Sequence, residues 1–67
     1  MIVNDFVCVD YANGKQYDGR VVSVRLMPND RTLFTVKHSD IKKDSVVKYA
    51  SLYMDKCLMV KFEPWRT

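Results

Sequence analysis

Apolar and polar residues alternate along most of this chain, in short runs separated by turn-forming residues. Over residues 2–11 (I-V-N-D-F-V-C-V-D-Y), Phe6, Cys8 and Asp10 share one parity, and Val7, Val9 and Tyr11 the other. Alternation built from Val, Phe and Tyr predicts a strand. It ends at Ala12-Asn13-Gly14-Lys15, where Asn-Gly offers the positive-φ positions of a tight hairpin turn. The return strand, residues 16–26, sets Tyr17, Gly19, Val21, Ser23 and Arg25 against Asp18, Arg20, Val22, Val24 and Leu26. Val22, Val24 and Leu26 are expected to face inward and Arg25 outward. Gly19 within this run predicts a bulge or a sharp bend, where a Cβ would clash. Met27-Pro28-Asn29-Asp30-Arg31 is a second turn, because Pro presets φ and Asn and Asp bond their own backbone. Thr32 to His38 alternates again and completes a three-stranded meander.

Residues 39–56 admit two readings. As a helix over 40–56, Val46, Val47, Ala50, Tyr53, Met54 and Cys57 fall on one face, with Ser39 or Asp40 as cap. As a strand, residues 46–54 set Lys48, Ala50, Leu52 and Met54 against Val47, Tyr49, Ser51 and Tyr53, and 39–45 becomes a polar hairpin loop. Periodicity favours the helix; the Val and Tyr content favours the strand. Residues 57–62 form a final strand, ended by Pro64. There are no repeats and no linker, so residues 1–67 are expected to make a single small domain.

Composition narrows the function classes. Sixty-seven residues with 48% hydrophobic content, two Gly and two Pro permit a packed core. A chain of this size buries only about 60% of its unfolded surface, so its stability is expected to be marginal. A deep, water-excluded cleft of about 300 Å³ or more is hard to wall on all sides with so little material, which argues against an enzyme. Cys8 and Cys57 sit in apolar runs, where free thiols are usual, and two Cys with one His fall short of a zinc set; no metal and no cofactor are expected. No apolar run approaches the ~20 residues that span a bilayer, and Met1–Phe6, with Asn4 and Asp5, does not read as a secretory signal; a cytoplasmic location without membrane contact is expected.

The side chains offer no catalytic set. His38 is the one histidine, and its neighbours Ser39 and Asp40 do not form a triad by adjacency. Gly14 and Gly19 make no phosphate loop, and the carboxylates are scattered. The net charge of +3 allows contact with nucleic acid or an acidic protein surface. The densest basic cluster is Lys37, His38, Lys42, Lys43 and Lys48. Strands carrying alternate basic and aromatic residues can track a phosphate backbone and stack bases. On this basis Arg20, Arg25, Lys37, Lys48 and Lys56 are candidates for phosphate or acidic groups, and Tyr17 and Tyr53 for stacking. Arg31 and Tyr49 belong to the same set of surface residues. Trp65, with Arg66, lies past the last strand and either folds back over an open barrel end or projects as a partner anchor.

Several segments also resemble the WYL-type domain, a small SH3-like (Sm-like) barrel of bacterial and phage regulators. Val9-Asp10-Tyr11-Ala12-Asn13-Gly14-Lys15 is similar to that family's first strand and turn, and Arg20-Val21-Val22 to its Arg-apolar-apolar second strand. Leu33-Phe34-Thr35-Val36 stands where Trp-Tyr-Leu would be. Tyr49-Ala50-Ser51-Leu52-Tyr53-Met54-Asp55-Lys56-Cys57 resembles the closing Tyr-x-x-Phe-Arg-Leu-Asp-Arg-Ile run, with Tyr53 in place of an arginine. Tudor and KOW barrels are rival likenesses through Tyr11, Gly14, Tyr17, Gly19 and Val22; an aromatic cage would draw on Tyr11, Tyr17 and Phe34. The resemblance implies a mainly β fold, an SH3-like barrel of about five antiparallel strands, with residues 46–54 as strand. The expected function is a non-enzymatic regulatory module contacting nucleic acid or a nucleic-acid-handling complex. The alternative is a protein-interaction or inhibitor module, of the kind phages and mobile elements encode, that binds a host protein through a strand edge or Trp65. A small-ligand sensor is a third reading, and self-association through strand edges is a further expectation.

Overall fold

The computed structural model describes residues 1–40 and 46–66, with the side chains of all of these except 39, 40 and 46. The chain forms β1 (Phe6–Tyr11), β2 (Gln16–Met27), β3 (Arg31–Asp40), β4 (Val46–Tyr53) and β5 (Cys57–Phe62), all antiparallel in one sheet of order β4-β3-β2-β1-β5. The proposed hairpin loop over 39–45 falls largely outside the described residues, as do Lys42 and Lys43 of the basic cluster. Where helix and strand competed, strand prevails: β4 pairs with β3 from Asp40↔Val46 to Leu33↔Tyr53. The helical spacing of Val46, Val47, Ala50 and Tyr53 is coincidental, because a ladder with β3 runs along the whole segment and buries Leu52.

The sheet is open and does not close into a barrel. Among the described residues β4 and β5 share no ladder, since a short 3-10 turn at Met54–Lys56 separates them. Point contacts bring the two ends together instead. The Tyr53 amide donates to the Tyr11 hydroxyl (3.1 Å) and the Ala12 amide to the Lys56 carbonyl (3.0 Å).

Each turn has a local cause. The Gly14 amide donates to the Tyr11 carbonyl and the Tyr11 amide to the Lys15 carbonyl, both at 3.0 Å. Gly14 takes φ +84° while Asn13 does not enter the left-handed region. This is a three-residue loop with glycine in the left-handed position, in place of a two-residue Asn-Gly turn. The Asn13 carboxamide oxygen accepts from the Lys15 amide at 2.9 Å, which fixes the loop. Between β2 and β3, Pro28 opens a 3-10 turn in which Asn29 and Asp30 have positive φ.

Val7, Val9, Val21, Phe34, Val36 and Leu52 form the buried core, flanked by Tyr11, Tyr17, Val24 and Val60 among others. The inward set of β2 differs from the alternation. The register of β2 against β3 slips between Val21 and Ser23, so Val22 is an extra residue and parity reverses there. Val21 therefore replaces Val22 in the core, Val24 remains inward, and Leu26 is 76% exposed at the strand end.

Gly19 is the bend. A Cβ there would lie far inside van der Waals contact distance of the Lys37 carbonyl oxygen and 2.9 Å from its carbon. The β2–β3 ladder stops at Arg20↔Lys37. Beyond it, β2 continues against β1 alone and β3 against β4 alone. Gly19→Ala should lower unfolding stability by about 3 kcal/mol, the upper end of overpacking costs. Gly14→Ala, with open space around it, should lose only about 1–2 kcal/mol from its left-handed backbone. Urea denaturation followed by circular dichroism gives the order; a Gly19→Ala protein as stable as Gly14→Ala would contradict the close approach.

Candidate functional site

The register assembles a continuous surface from β2, β3 and β4. Cross-strand partners share a face, so Arg20, Lys37 and Tyr49 form one row, extended by Phe6 through its pairing with Arg20. Ser23, Thr35 and Ser51 form the next row, and Arg25, Leu33 and Tyr53 the third. The reversal at Val22 is what places Arg25 on the same face as Arg20. In the middle row the Thr35 and Ser51 hydroxyls are hydrogen-bonded at 3.0 Å. Tyr49 is 64% exposed. Arg20, Arg25 and Lys37 have no carboxylate partner among the described residues. Among the described side chains, the β2, β3 and β4 positions of this face hold one carboxylate, Asp18, which pairs with Arg66.

The other predicted site residues are distributed differently. Tyr17 is half-buried beside the core, its ring edge-on to Tyr11 (6.2 Å between centroids) and to His38 (5.6 Å). Tyr53 lies on the β2–β3–β4 face, but the Arg31 guanidinium sits 3.8 Å from its ring centroid. Arg31 is held there by a two-pronged contact with the Asp55 carboxylate, both distances 3.3 Å. One ring face of Tyr53 is therefore covered, and Tyr49 is the open aromatic of the surface. Lys48 pairs with His38 across the ladder, on the parity opposite to Lys37. Lys56 stands in the 3-10 turn before β5. An aromatic cage of Tyr11, Tyr17 and Phe34 does not form, because Phe34 is fully buried in the core.

At the tail, Trp65 is 68% exposed and projects from the sheet. Arg66 turns back. Its guanidinium pairs with Asp18 and with Glu63 (3.5 Å) and lies 5.1 Å from the Phe6 ring centroid. Where β2 and β3 diverge at Gly19, a groove of about 310 Å³ opens, lined by Phe6, Asp18, Arg20, Lys37, His38, Val47 and Arg66 with Gly19 at its base. Alternation along the strands gives no sign of this groove, because the divergence is a tertiary bend.

No group of three or more His, Cys, Asp or Glu side chains among the described residues is arranged to hold a metal ion. No helix among them is long and apolar enough to cross a membrane. Both cysteines are free and half-buried. Burial, reinforced by Asp18, pushes the Cys8 thiol above its ordinary value, and burial with Asp55 does the same for Cys57. Compared with protein-family models, with curated proteins and with solved structures, the chain matches none.

A raised thiol pKa leaves little thiolate at neutral pH, so both cysteines should alkylate slowly. In the folded protein iodoacetamide should modify them more slowly than a free cysteine at pH 7.5, and the rate should climb only above pH 9. Below the unfolded-state pKa the neutral thiols favour the fold fully, and this contribution fades as pH rises through the higher folded value. Rapid alkylation of either residue at neutral pH would refute the raised values.

Proposed function

We propose that this protein is a non-enzymatic module that binds nucleic acid on the outer face of β2, β3 and β4. The observation that carries the reading is the row Arg20–Lys37–Tyr49: two cations without acidic partners among the described residues, beside an open aromatic ring. Adjacent cations suit a phosphate backbone, and an exposed tyrosine ring suits an unstacked base. Arg25 extends the positive surface along β2, and the Ser23, Thr35 and Ser51 hydroxyls supply neutral hydrogen-bonding groups between the two basic rows. The WYL-type likeness is compatible with this reading. Its segments fall on β1 and its turn, on β2, on β3, and on β4 through the start of β5. On that likeness the module would be regulatory.

Fluorescence anisotropy with labelled single- and double-stranded oligonucleotides at two salt concentrations tests the proposal. Affinity should drop steeply with salt. The Arg20→Gln/Lys37→Gln protein should flatten the log–log salt slope by about 1.4, at roughly 0.7 per phosphate contact for single strands. Tyr49→Ala should weaken binding by about 1–3 kcal/mol, or roughly 5- to 150-fold. An absence of binding at low salt would remove the reading.

A second reading rests on a different surface. β5 is an open edge with Leu58 75%, Met59 50% and Phe62 47% exposed, beside the projecting Trp65. An apolar edge with a tryptophan suits a protein partner that adds a strand. Leu58→Lys with Trp65→Ala should abolish such a complex, as measured by calorimetry with the purified partner, while leaving oligonucleotide affinity unchanged. A double variant that still binds its partner fully would count against this second surface.

A further inference from the structure

We infer that β5 pairs with the β5 strand of a second copy of this chain, antiparallel and two-fold symmetric about Val60. The inference rests on the second reading above, in which β5 is an interaction edge, and names the strand that joins it.

The backbone sets the direction. The Glu63 amide donates to the Phe6 carbonyl, so these residues form a hydrogen-bonded pair of the β1–β5 ladder, with Val7 and Phe62 the unbonded pair beside it. The N–H and C=O groups of Phe62 and Val60 therefore point away from β1, toward an edge that is open among the described residues. Symmetry then limits the register. A two-fold axis between antiparallel strands pairs each residue with one of the same parity, so the seam must be centred on a single residue of β5. Centred on Lys61, two like charges oppose each other and Leu58 meets Pro64, which has no N–H to give. Centred on Met59, Phe62 meets Lys56, in the 3-10 turn outside the strand. Centred on Val60, the pairs are Val60–Val60, Leu58–Phe62 and Met59–Lys61. Val60 and Phe62 lie on the side of the sheet that holds Val7 and Val9, so the second copy covers the half-buried Val60.

Charge favours the same register. Asp10 and Lys61 have no ion-pair partner among the described residues. In the dimer, Lys61 shares a row with Met59 and then Asp10 of the other copy. Two strand spacings, about 9.5 Å, separate their backbones, a gap that a lysine and a carboxylate side chain bridge together. The contact occurs twice. Leu58 is the extra residue of the register shift between β1 and β5, so the regular part of the seam runs from Met59 to Lys61. A seam this short belongs at the transient end of interface sizes.

Sedimentation velocity should show a monomer–dimer equilibrium between about 10 μM and about 1 mM. Met59→Lys, at an exposed position beside Asp10, leaves the core untouched and opposes Lys61 of the other copy twice. It should weaken the dimer roughly 5- to 30-fold. Met59→Lys/Lys61→Met exchanges the two side chains and should restore the dimer, because lysine again faces methionine; no other symmetric register gives this loss and recovery. Amide exchange is a second readout: protection of Val60 should rise with protein concentration, while that of Lys61, whose amide points to β1, stays constant. A protein monomeric to about 1 mM, a dimer indifferent to Met59→Lys, or an exchange that restores nothing overturns the inference. If that protein still binds a purified partner through Leu58 and Trp65, the second reading survives alone. Loss and recovery of the dimer, with partner binding indifferent to Leu58→Lys/Trp65→Ala, supports the inference and leaves β5 to the second copy.

Discussion

The approach of Gly19 to the Lys37 carbonyl is the constraint on which the rest of the architecture depends. Five strands laid side by side as a flat sheet would leave both faces of a 67-residue chain in water. The bend at Gly19 lets β1 and β5 turn relative to β3 and β4, so that Val7 and Val9 meet Val21, Phe34, Val36 and Leu52. Only a residue without Cβ tolerates the crossing. The bend therefore creates both the core and the groove.

With few fully buried side chains, directional contacts at the margins matter more than they would in a larger domain. The Tyr11 hydroxyl joins β1 to the end of β4, and the Ala12 amide joins the first turn to the approach to β5. These bonds do part of the work that a closing ladder does in a barrel. They also leave the outer face of β2, β3 and β4 largely free of structural duty, with the Arg31–Tyr53–Asp55 cluster as its fixed corner.

The strands were legible because alternation, β-branched content and turn residues agreed over most of the chain. β5 matches its expected limits of residues 57–62, and β1 starts later than expected, at Phe6, because the stretch around Asn4 takes a left-handed turn. The parity error on β2 has a plain origin: Val21, Val22 and Val24 are the same residue type, so no composition signal marks which one is the extra residue. The competing helix over 40–56 fitted its own periodicity, and the neighbouring strand decided the matter. Closure into a barrel was not legible at all, because it depends on whether β4 reaches β5 across the Met54–Lys56 turn.

The candidate surface was legible in its cations and less so in its aromatics. Arg20, Arg25 and Lys37 share a face only after the slip at Val22 is counted. Tyr17 and Tyr53 looked as available as Tyr49 in one dimension, but packing against Tyr11 and His38 occupies the first and Arg31 covers the second.

The antiparallel pairing of β1 with β5 has a mechanical consequence. Val7 faces Phe62, and the Glu63 amide donates to the Phe6 carbonyl, so the strand entry and exit lie side by side. Tension applied between them would load these bonds one after another, as in a zipper, instead of shearing them together. The sheet should yield most easily to a pull in that direction, shedding β5 and its Val60 contact with the core first.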